Sequence, residues 1–358
     1  MNNIETKNPD VLEINVKDTV TGKDLGPGQF KKDNTNNMKN LLSIIIPSRD
    51  PRYLQKTIDD LIEKAEGKIE IIVVLDGYWP DPMIKDHPLV RVIHHGTIFN
   101  NIGMRESINK GVALSKGNYI MKIDEHCLMS KGYDLGLIAD CEEDWVVIPR
   151  RKRLDPDKWE IIEDGRPPID YMKLDYPYAK PLDKTQGLHG SEDKQRFNDR
   201  KDILIDDVMT GQGSCYFLPK KLWDSVIVRL EDENYGPFTQ EIQEICNKIW
   251  LIGGSVKVNK KLFYAHWHKG SAGRNYGFSN NQYVKHSEGN EKGRLFCIDF
   301  WVNNRWDRRK YDFKYLIDKF WPIPGWPENW EKQIIIDKKN DYSTLNYEGD
   351  HWLKNLKK

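Results

Sequence analysis

The sequence lacks any long apolar run and has few cysteines. No run approaches the about 20 consecutive apolar residues that a membrane-spanning helix needs, so no membrane span is expected. The five cysteines form no Cys-x-x-Cys pair, which is typical of free, mostly structural thiols in a reducing compartment. The N-terminus is polar with mixed charges, unlike a signal peptide. We therefore expect a cytoplasmic protein.

Net charge is also absent. Lys plus Arg and Asp plus Glu number 55 each, so the chain as a whole has no attraction for polyanions. This balance lowers the expectation of a nonspecific nucleic-acid binder, although a local basic groove remains compatible with it. Large side chains are abundant, with 12 Trp, 16 Tyr and 11 Phe in 358 residues, which predicts a large core in one or two domains.

Short apolar runs alternate with helical patterns in the first third of the chain. Leu41–Ile46 and Ile69–Leu75 are almost continuously apolar, which is typical of strands covered on both faces of a parallel sheet. Further elements are predicted as helices at 53–65 and 100–115 and as strands at 90–93 and 118–123. This order predicts an open, wound α/β sheet, in which ligands bind at the carboxyl ends of the strands. Asp76 and Asp124 follow two such ends.

Asp124 and His126 come directly after the predicted strand 118–123. In extended backbone, side chains two residues apart point to the same face, so these two could hold one cation. A carboxylate with an imidazole suits a divalent ion of intermediate softness and favours Mn²⁺ over Ca²⁺. The sequence therefore predicts a metal-binding tip on a buried strand. The alternative interpretation is a polar exit from strand to loop.

The remaining segments are less regular. Residues 1–40 are predicted to be a polar tail or surface wrap, and 154–205 a set of loops and hairpins. Ordered elements are expected as strands at 145–149 and 255–258, a Gly-rich turn entering a strand at 208–218, and a helix at 238–251.

The C-terminal segment 271–358 is rich in aromatic and basic side chains. We interpret it as a helical extension whose aromatic residues pack onto the main domain, in preference to stacking on an acceptor sugar or base. Basic residues cluster at 150–153 and 305–310, and together they could line a groove for nucleic acid.

Several motifs resemble the nucleotide-binding half of family-2-type glycosyltransferases with the GT-A fold. The matching segments are Ser43–Pro47, Ile71–Gly77 and Gly111–Asp124. These enzymes usually carry a metal-binding Asp-x-Asp motif. This chain instead has Asp-Glu-His at 124–126, which looks like the variant of the polypeptide N-acetylgalactosaminyltransferases. The likeness covers residues 41–270.

The second half of the chain continues this likeness. Met209–Gly213 resembles the family's Met-Ala-Gly-Gly, and Glu241–Trp250 resembles its glutamate-bearing helix. His266 falls where the family places a third metal ligand. His268 would face the same way in an extended strand, so the sequence leaves open which of the two histidines binds the metal.

The resemblance implies a fold, a domain division and a reaction. The fold is a GT-A, Rossmann-like open mixed sheet with helices on both faces, divided into a nucleotide half at 41–130 and an acceptor half at 131–270. The reaction is transfer of a hexose from a UDP-sugar to an acceptor hydroxyl. Mn²⁺ or Mg²⁺ would be bound by Asp124, His126 and one of the two later histidines. The donor sugar and the oligomeric state are not predicted.

The resemblance also implies binding roles on the nucleotide side. Pro47 and Arg49 lie on the loop that contacts the nucleotide in the family, and Asp76 stands where a carboxylate reads the uracil or the ribose. Arg105 is placed to contact the diphosphate. The alternatives are a turn residue before Gly77 for Asp76 and a surface salt bridge for Arg105.

Two residues are implied on the acceptor side. Glu241 is the predicted general base, or the carboxylate that orients the nucleophile. Its position matches carboxylates of both inverting and retaining relatives, so the stereochemistry stays open. Gly211 would let the backbone approach the sugar closely, although a tight turn explains a glycine there equally well.

Three other functions are compatible with the sequence. The same fold could glycosylate a hydroxylated base in DNA. A non-catalytic nucleotide-sugar-binding protein would bind UDP without donor hydrolysis, and a nucleotidyltransferase would release pyrophosphate. The acceptor class, whether glycan, protein or modified DNA, is not predicted.

Overall fold

The structure, a computed structural model, describes residues 11–17, 24–31, 40–97, 99–177, 187–269 and 292–333. The strands are β1 (Val11–Lys17), β2 (Asp24–Lys31), β3 (Leu42–Ser48), β4 (Ile69–Asp76), β5 (Val90–His95), β6 (Tyr119–Ile123), β7 (Cys127–Met129), β8 (Trp145–Asp155), β9 (Glu160–Ile161), β10 (Met172–Leu174), β11 (Gly190–Glu192), β12 (Ile205–Asp207), β13 (Cys215–Pro219) and β14 (Ser255–His266). The helices are α1 (Leu54–Lys64), α2 (Met104–Ala113), α3 (Tyr133–Ala139), α4 (Lys194–Arg200), α5 (Lys220–Leu222), α6 (Glu241–Ile252), α7 (292–302), α8 (Phe313–Phe320) and α9 (Trp330–Gln333).

The N-terminal segment forms a compact unit of its own, Met1–Lys39. Its two described stretches, β1 and β2, pair as an antiparallel hairpin. The sequence analysis predicted a polar tail or surface wrap over 1–40 and no strands there. The other residues of 1–39 lie outside the described part of the chain, and the chain from Asn40 onward forms the second unit.

A mixed sheet of 10 strands organises the second unit. Its main path runs β12-β14-β8-β13-β6-β3-β4-β5, while β7 pairs with β14 and β9 with β8. β3 is parallel to β4 and β6, and β4 is parallel to β5. β13 is antiparallel to both β6 and β8, and β8 is parallel to β14. The predicted open mixed α/β sheet is confirmed.

Helices cover both faces of this sheet because side chains alternate along its strands. In β4, Ile72 and Val74 belong to one core, and Val73 belongs to the other. Residues of α2 and α6, such as Ile108, join the first core, and residues of α1, such as Ile58, join the second. Continuous apolar runs are therefore the expected pattern for these strands.

Several strands are longer than predicted. β3 continues through Pro47 to Ser48, two residues beyond the apolar run Leu41–Ile46. Because β3 pairs with β6 only as far as Ile45, Pro47 has no hydrogen bond to lose on that side. The strand expected at 255–258 runs on to His266, since β8 beside it also continues. As a result, the basic residues 150–153 lie within β8.

The segment 154–205 contains β9 to β12 and the short helix α4, joined by loops, and 178–186 lies outside the described residues. The predicted loops and hairpins therefore include one helix. No helix in the described part of the chain is both long and apolar enough to cross a membrane.

The described part of the C-terminal segment is helical and packs onto the main domain. Trp301, Trp306, Trp326 and Trp330 are each at most 7 % exposed and share one core with α6. Trp326 Nε1 also donates to the Leu174 carbonyl at 2.7 Å. The interpretation of these aromatic residues as packing residues is confirmed, while 271–291 and 334–358 lie outside the described residues.

Candidate metal centre and its surroundings

Three potential metal ligands converge at the carboxyl end of β6. Asp124 and His126 lie between β6 and β7, and His266 is the last residue of β14. The antiparallel pairing of β7 with β14 places His266 opposite Cys127, beside that segment. The Nε2 atoms of the two imidazoles are 3.0 Å apart, and His266 Nε2 is 3.3 Å from Asp124 Oδ2. The ligand atoms of the three residues all lie within 4.8 Å of one another.

The geometry of this cluster differs from the predicted one in two respects. β6 ends at Ile123, so a tight turn, and not extended backbone, brings Asp124 and His126 together. β14 ends at His266, and His268 lies beyond it, exposed and outside the cluster found among the described residues. Strand alternation therefore does not place His268 with His266, and His266 is the third member of the cluster.

Burial and neighbouring charges set the protonation of the cluster. Burial and the nearby His266 hold the pKa of His126 well below its usual 6.5. Burial also lowers the pKa of His266 to about 4, although its hydrogen bond to Asp124 acts in the opposite direction. Burial would raise the pKa of Asp124, but Lys122 and the two histidines bring it below its usual 3.8. Near pH 7 the cluster offers neutral imidazoles and a carboxylate, the forms that bind metal.

The donor set fits a divalent metal ion. Two imidazoles and a carboxylate suit Mn²⁺ and other ions of intermediate softness. The Nε2 atoms of His126 and His266 face each other at 3.0 Å. A cation shared by the two imidazoles would give their facing nitrogen lone pairs a common partner. The side chain of Asp124 keeps 23 % of its surface exposed, so the cluster is reached from solvent.

A buried lysine lies beside the cluster and was not predicted from the sequence. Lys122 has 1 % of its surface exposed, and its Nζ donates to Asp124 Oδ1 and to the Gly213 carbonyl. Burial alone would lower the pKa of Lys122, but Asp124 and Glu241 raise it above its usual 10.5, so the ammonium stays charged. This contact leaves Oδ2 of Asp124 facing His266. A charged residue inside an apolar strand was the sequence signal.

Glu241 opens α6 and lies against Gly213, whose carbonyl accepts from Lys122. Its side chain is buried, and burial raises its pKa above the usual 4.5, although Lys122 acts in the opposite direction. A Cβ at Gly213 would lie 1.6 Å from Oε1 of Glu241. Only a glycine at 213 therefore leaves room for this carboxylate. Lys122 therefore interacts electrostatically with both the predicted catalytic carboxylate and Asp124 of the metal cluster.

Gly211 has a packing role in the structure. A Cβ there would lie 2.3 Å from Cδ1 of Ile148, and the Gly211 carbonyl accepts from Gln243 Nε2 at 3.1 Å. These contacts explain the glycine by close packing between β8 and α6. The predicted approach to a sugar stays a prediction.

Glu125, the middle residue of the turn, binds the loop that follows β3. It accepts hydrogen bonds from the backbone N–H of Arg49 at 2.8 Å and of Asp50 at 3.0 Å, and from the Ser48 hydroxyl. Lys269 Nζ is 3.5 Å from its Oε1. Burial raises the pKa of Glu125 to about 7, although Lys269 acts in the opposite direction. The sequence analysis missed this role, since an acidic residue in a turn carries no distinctive signal.

Asp76 holds the loop that leads into α2. Its Oδ1 accepts from the Ile102 N–H and its Oδ2 from the Gly103 N–H, each at 2.8 Å. Its backbone carbonyl accepts from Arg49 Nη1 at 2.7 Å, and Pro47 lies buried in β3 two residues before that arginine. These contacts give Asp76 and Arg49 structural tasks. Their predicted contacts with the nucleotide, and that of Pro47, stay predictions.

Arg105 is fully buried, which corrects both sequence interpretations of it. Its Nε donates to the Thr239 carbonyl at 2.8 Å and its Nη1 to the Glu231 carbonyl at 2.7 Å. The guanidinium also pairs with Glu244 of α6 and lies 4.1 Å from the Tyr235 ring centroid. With no exposed face it is neither a surface salt bridge nor open to a diphosphate in this structure. It ties α2 to the segment that leads into α6.

Comparisons with known proteins find a sequence match over part of the chain and a similar fold over most of it. Residues 43–204 match the family model described as glycosyl transferase family 2. In structure, the chain is similar to GalNAc-T7, crystallised with UDP, GalNAc and Mn²⁺, with a TM-score of 0.55 and 17 % sequence identity. The match covers 75 % of this chain and 50 % of that chain. At this identity the likeness shows the fold alone, which is GT-A.

A second structure, S. aureus TarS 1–349, matches with a TM-score of 0.41 and 15 % identity, covering 64 % of this chain and 60 % of that one. That score is too low to support an argument. The chain thus spans half to three fifths of the length of these two solved chains. No match was found among curated protein sequences.

Proposed function

Because the chain carries a family-2-like glycosyltransferase domain with a GT-A fold, we propose that it is a metal-dependent hexosyltransferase. The proposed reaction moves a hexose from a UDP-sugar to an acceptor hydroxyl. The observation that carries this proposal is the convergence of Asp124, His126 and His266 at the carboxyl end of a central strand. Ligands of wound α/β sheets bind at such ends. The similar structure of GalNAc-T7 contains UDP and Mn²⁺, which supports the choice of nucleotide and metal.

The three ligands would hold Mn²⁺, with Mg²⁺ as the alternative. When bound, such an ion supplies Lewis-acid stabilisation of the departing diphosphate. Lys122 keeps Asp124 in one orientation through its hydrogen bond to Oδ1, which leaves Oδ2 for the metal. The two imidazoles are neutral near pH 7 and keep a lone pair for the ion.

Glu241 is the carboxylate that we propose acts on the acceptor. Its raised pKa, caused by burial, brings it nearer to the value that suits a general base at neutral pH. It would take the proton of the acceptor hydroxyl or orient that hydroxyl toward the sugar. Gly213 supports this position by leaving room for the carboxylate.

The nucleotide would lie on the other side of the cluster, near the ends of β3 and β4. Arg49 and Asp76 remain the candidates for contacts with the uridine, together with the loop that starts after Pro47. Glu125 holds that loop by accepting a hydrogen bond from the backbone N–H of Arg49. The Arg49 side chain holds it too, by donating to the Asp76 carbonyl. A cytoplasmic location stays a prediction.

Three of the four basic residues at 150–153 in β8 give no support to a nucleic-acid acceptor. Arg150 pairs with Asp170 at 2.7 Å, and Arg153 donates to the Pro167 carbonyl at 3.0 Å. Lys152 lies 4.7 Å from the centroid of the Phe263 ring. Since each of the three has a partner within the protein, they do not form the open basic surface that binds phosphate backbones.

A donor screen tests the proposal. UDP release is measured over a panel of UDP-sugars with glycan, peptide and hydroxymethylated-DNA acceptors, in Mn²⁺, in Mg²⁺ and in EDTA. We expect release with at least one donor that depends on the metal and is lost in Asp124→Ala. The matched control is Asp59→Ala, because Asp59 is a half-exposed carboxylate on α1.

Other outcomes would assign another function. Release of pyrophosphate in place of UDP would indicate a nucleotidyltransferase. UDP binding without turnover of any donor, even at high Mn²⁺, would indicate a non-catalytic nucleotide-sugar-binding protein. Metal-dependent turnover that persists unchanged in Asp124→Ala would contradict the proposed metal site.

A further inference from the structure

We propose that Arg151 exchanges its hydrogen bond to His266 for a hydrogen bond to the donor diphosphate when a divalent metal binds. The inference rests on the proposed function, because it takes the donor to be a nucleoside diphosphate sugar. It assigns a phosphate-binding role to a residue of β8, and it couples metal binding to donor binding through one side chain.

Arg151 is a buried charge whose hydrogen bonds are incomplete. Arg151 is only 7 % exposed, and its Nη2 is 3.2 Å from Nδ1 of His266. Among the described residues, its Nε has no hydrogen-bond partner. Asp170 follows Ile169, which bridges to Arg151, but its carboxylate is paired with Arg150. A buried guanidinium without a carboxylate is costly, so the site suits an anionic ligand.

The contact with His266 conflicts with metal binding at that ring. A guanidinium has only N–H donors, so Nδ1 of His266 accepts the bond and the ring hydrogen lies on Nε2. Nε2 is the atom that faces His126 and Asp124, on the side where the metal would lie. Binding through Nε2 needs its lone pair, which puts the ring hydrogen on Nδ1. Two N–H groups would then face each other, so Arg151 moves away.

A released Arg151 is one residue away from the metal cluster, since its present partner is His266. The phosphates of a metal-bound donor would lie at that cluster. On its other side Arg151 lines only a small cavity of about 10 Å³, together with Asp170, Gly211 and Gln212, which has no room for a phosphate. A planar guanidinium matches two phosphate oxygens with two parallel N–H groups. Arg151 would thus have an acceptor in both states, His266 without metal and phosphate with it.

Binding measurements on the whole chain test this exchange without requiring turnover. Arg151→Met is compared with wild type and with Lys152→Met, a neighbouring basic residue that packs over Phe263. Titration calorimetry measures Mn²⁺ alone, then UDP and uridine at saturating Mn²⁺. We expect Arg151→Met to bind Mn²⁺ about fivefold more tightly, because no hydrogen bond to His266 has to break. We expect UDP to bind about 10- to 100-fold more weakly, and uridine to bind unchanged.

The opposite directions of the two effects separate exchange from structural damage. Weaker Mn²⁺ binding in Arg151→Met, or unchanged UDP affinity, would overturn the inference and leave Arg151 as a support for His266. If the Met variant fails to fold, Arg151→Lys replaces it, and an about tenfold loss for UDP with uridine unchanged supports the inference. Equal affinities of that Lys variant and wild type for UDP would overturn it. Failure of wild type to bind UDP or Mn²⁺ at all would contradict the proposed function instead.

Discussion

Asp76 and Asp124 occupy matching places at the ends of the two strands that flank β3, yet their partners differ. Asp76 accepts two backbone N–H groups from the loop before α2. Asp124 faces the side chains of Lys122 and His266. The Asp76 carboxylate holds a loop through hydrogen bonds to its backbone. The Asp124 carboxylate belongs to a group of interacting ionisable side chains. Such groups, with shifted pKa values, are typical of functional sites.

The difference shows that position at a strand end does not by itself assign chemistry. Both residues follow buried strands, and both were predicted to touch the donor or its metal. Glu125, one residue after Asp124, already resembles Asp76, since it binds the backbone of Arg49 and Asp50. The role of a carboxylate at this sheet edge therefore depends on whether its partners are backbone N–H groups or side chains.

Removal of a metal ligand should produce the largest effect. Loss of a residue that merely supports a ligand typically weakens metal binding about 10- to 100-fold, and loss of the ligand itself should exceed that. We expect His266→Ala to lower Mn²⁺ affinity by more than about 100-fold, measured by calorimetry. His268→Ala is the control and should bind normally. A loss in the His268 variant, with His266→Ala unaffected, would move the third ligand to His268.

Removal of the Asp76 carboxylate, which holds the loop before α2, should lower stability and leave metal affinity unchanged. Each hydrogen bond to a charged group contributes about 1.5–3 kcal/mol, so Asp76→Ala should lower the free energy of unfolding by about 3 kcal/mol or more. Mn²⁺ affinity should not change. Denaturant unfolding measures the first quantity, with Asp59→Ala as the control. Unchanged stability together with lost UDP binding would make Asp76 a nucleotide-binding residue and remove the contrast with Asp124.

A methyl group at Gly213 should displace the Glu241 carboxylate. Overpacking of this kind costs about 1–3 kcal/mol, and here it also moves the proposed catalytic group. We expect Gly213→Ala to lower kcat about tenfold or more, since misplaced catalytic groups lose rate steeply. Gly211→Ala is the matched control, because its added Cβ meets Ile148 instead. Equal kcat losses in both variants would show that general packing, and not Glu241, is responsible.

The pH dependence of turnover should show the smallest effect. Burial raises the pKa of Glu241 above 4.5, and a base is active when deprotonated, so kcat should fall as the pH drops through a value above 4.5. Burial lowers the pKa of His266 to about 4. Protonation of His266, and with it the loss of Mn²⁺, should therefore occur at a lower pH than the protonation of Glu241. Glu241→Gln should remove the fall in kcat that occurs at the higher pH and leave Mn²⁺ binding intact. A flat rate down to pH 4.5 would contradict the assigned base.

Local patterns were sufficient for much of the fold and for part of the site. The apolar runs that became β3 and β4 were recognised because both faces of these strands are buried. The Asp-x-His pair was recognised from residue types alone. The length of β14 was not recognised, because pairing with β8 extends that strand beyond its own apolar pattern. The helix ends were not predicted to the residue either. Lys122 and Arg105 were missed or misassigned because a charged residue reveals its burial only through its partners.

The sequence by itself determined that the chain forms an α/β sheet with acidic and imidazole groups after its strands, since periodicity and residue chemistry are local properties. Only the tertiary structure decided which of those groups meet. His126 and His266 lie 140 residues apart in the chain, and antiparallel pairing of β7 with β14 brings their rings together. Arg105 and Glu244 lie 139 apart and meet in the core instead. Long-range strand pairing and helix packing select those partners, and no local pattern encodes them.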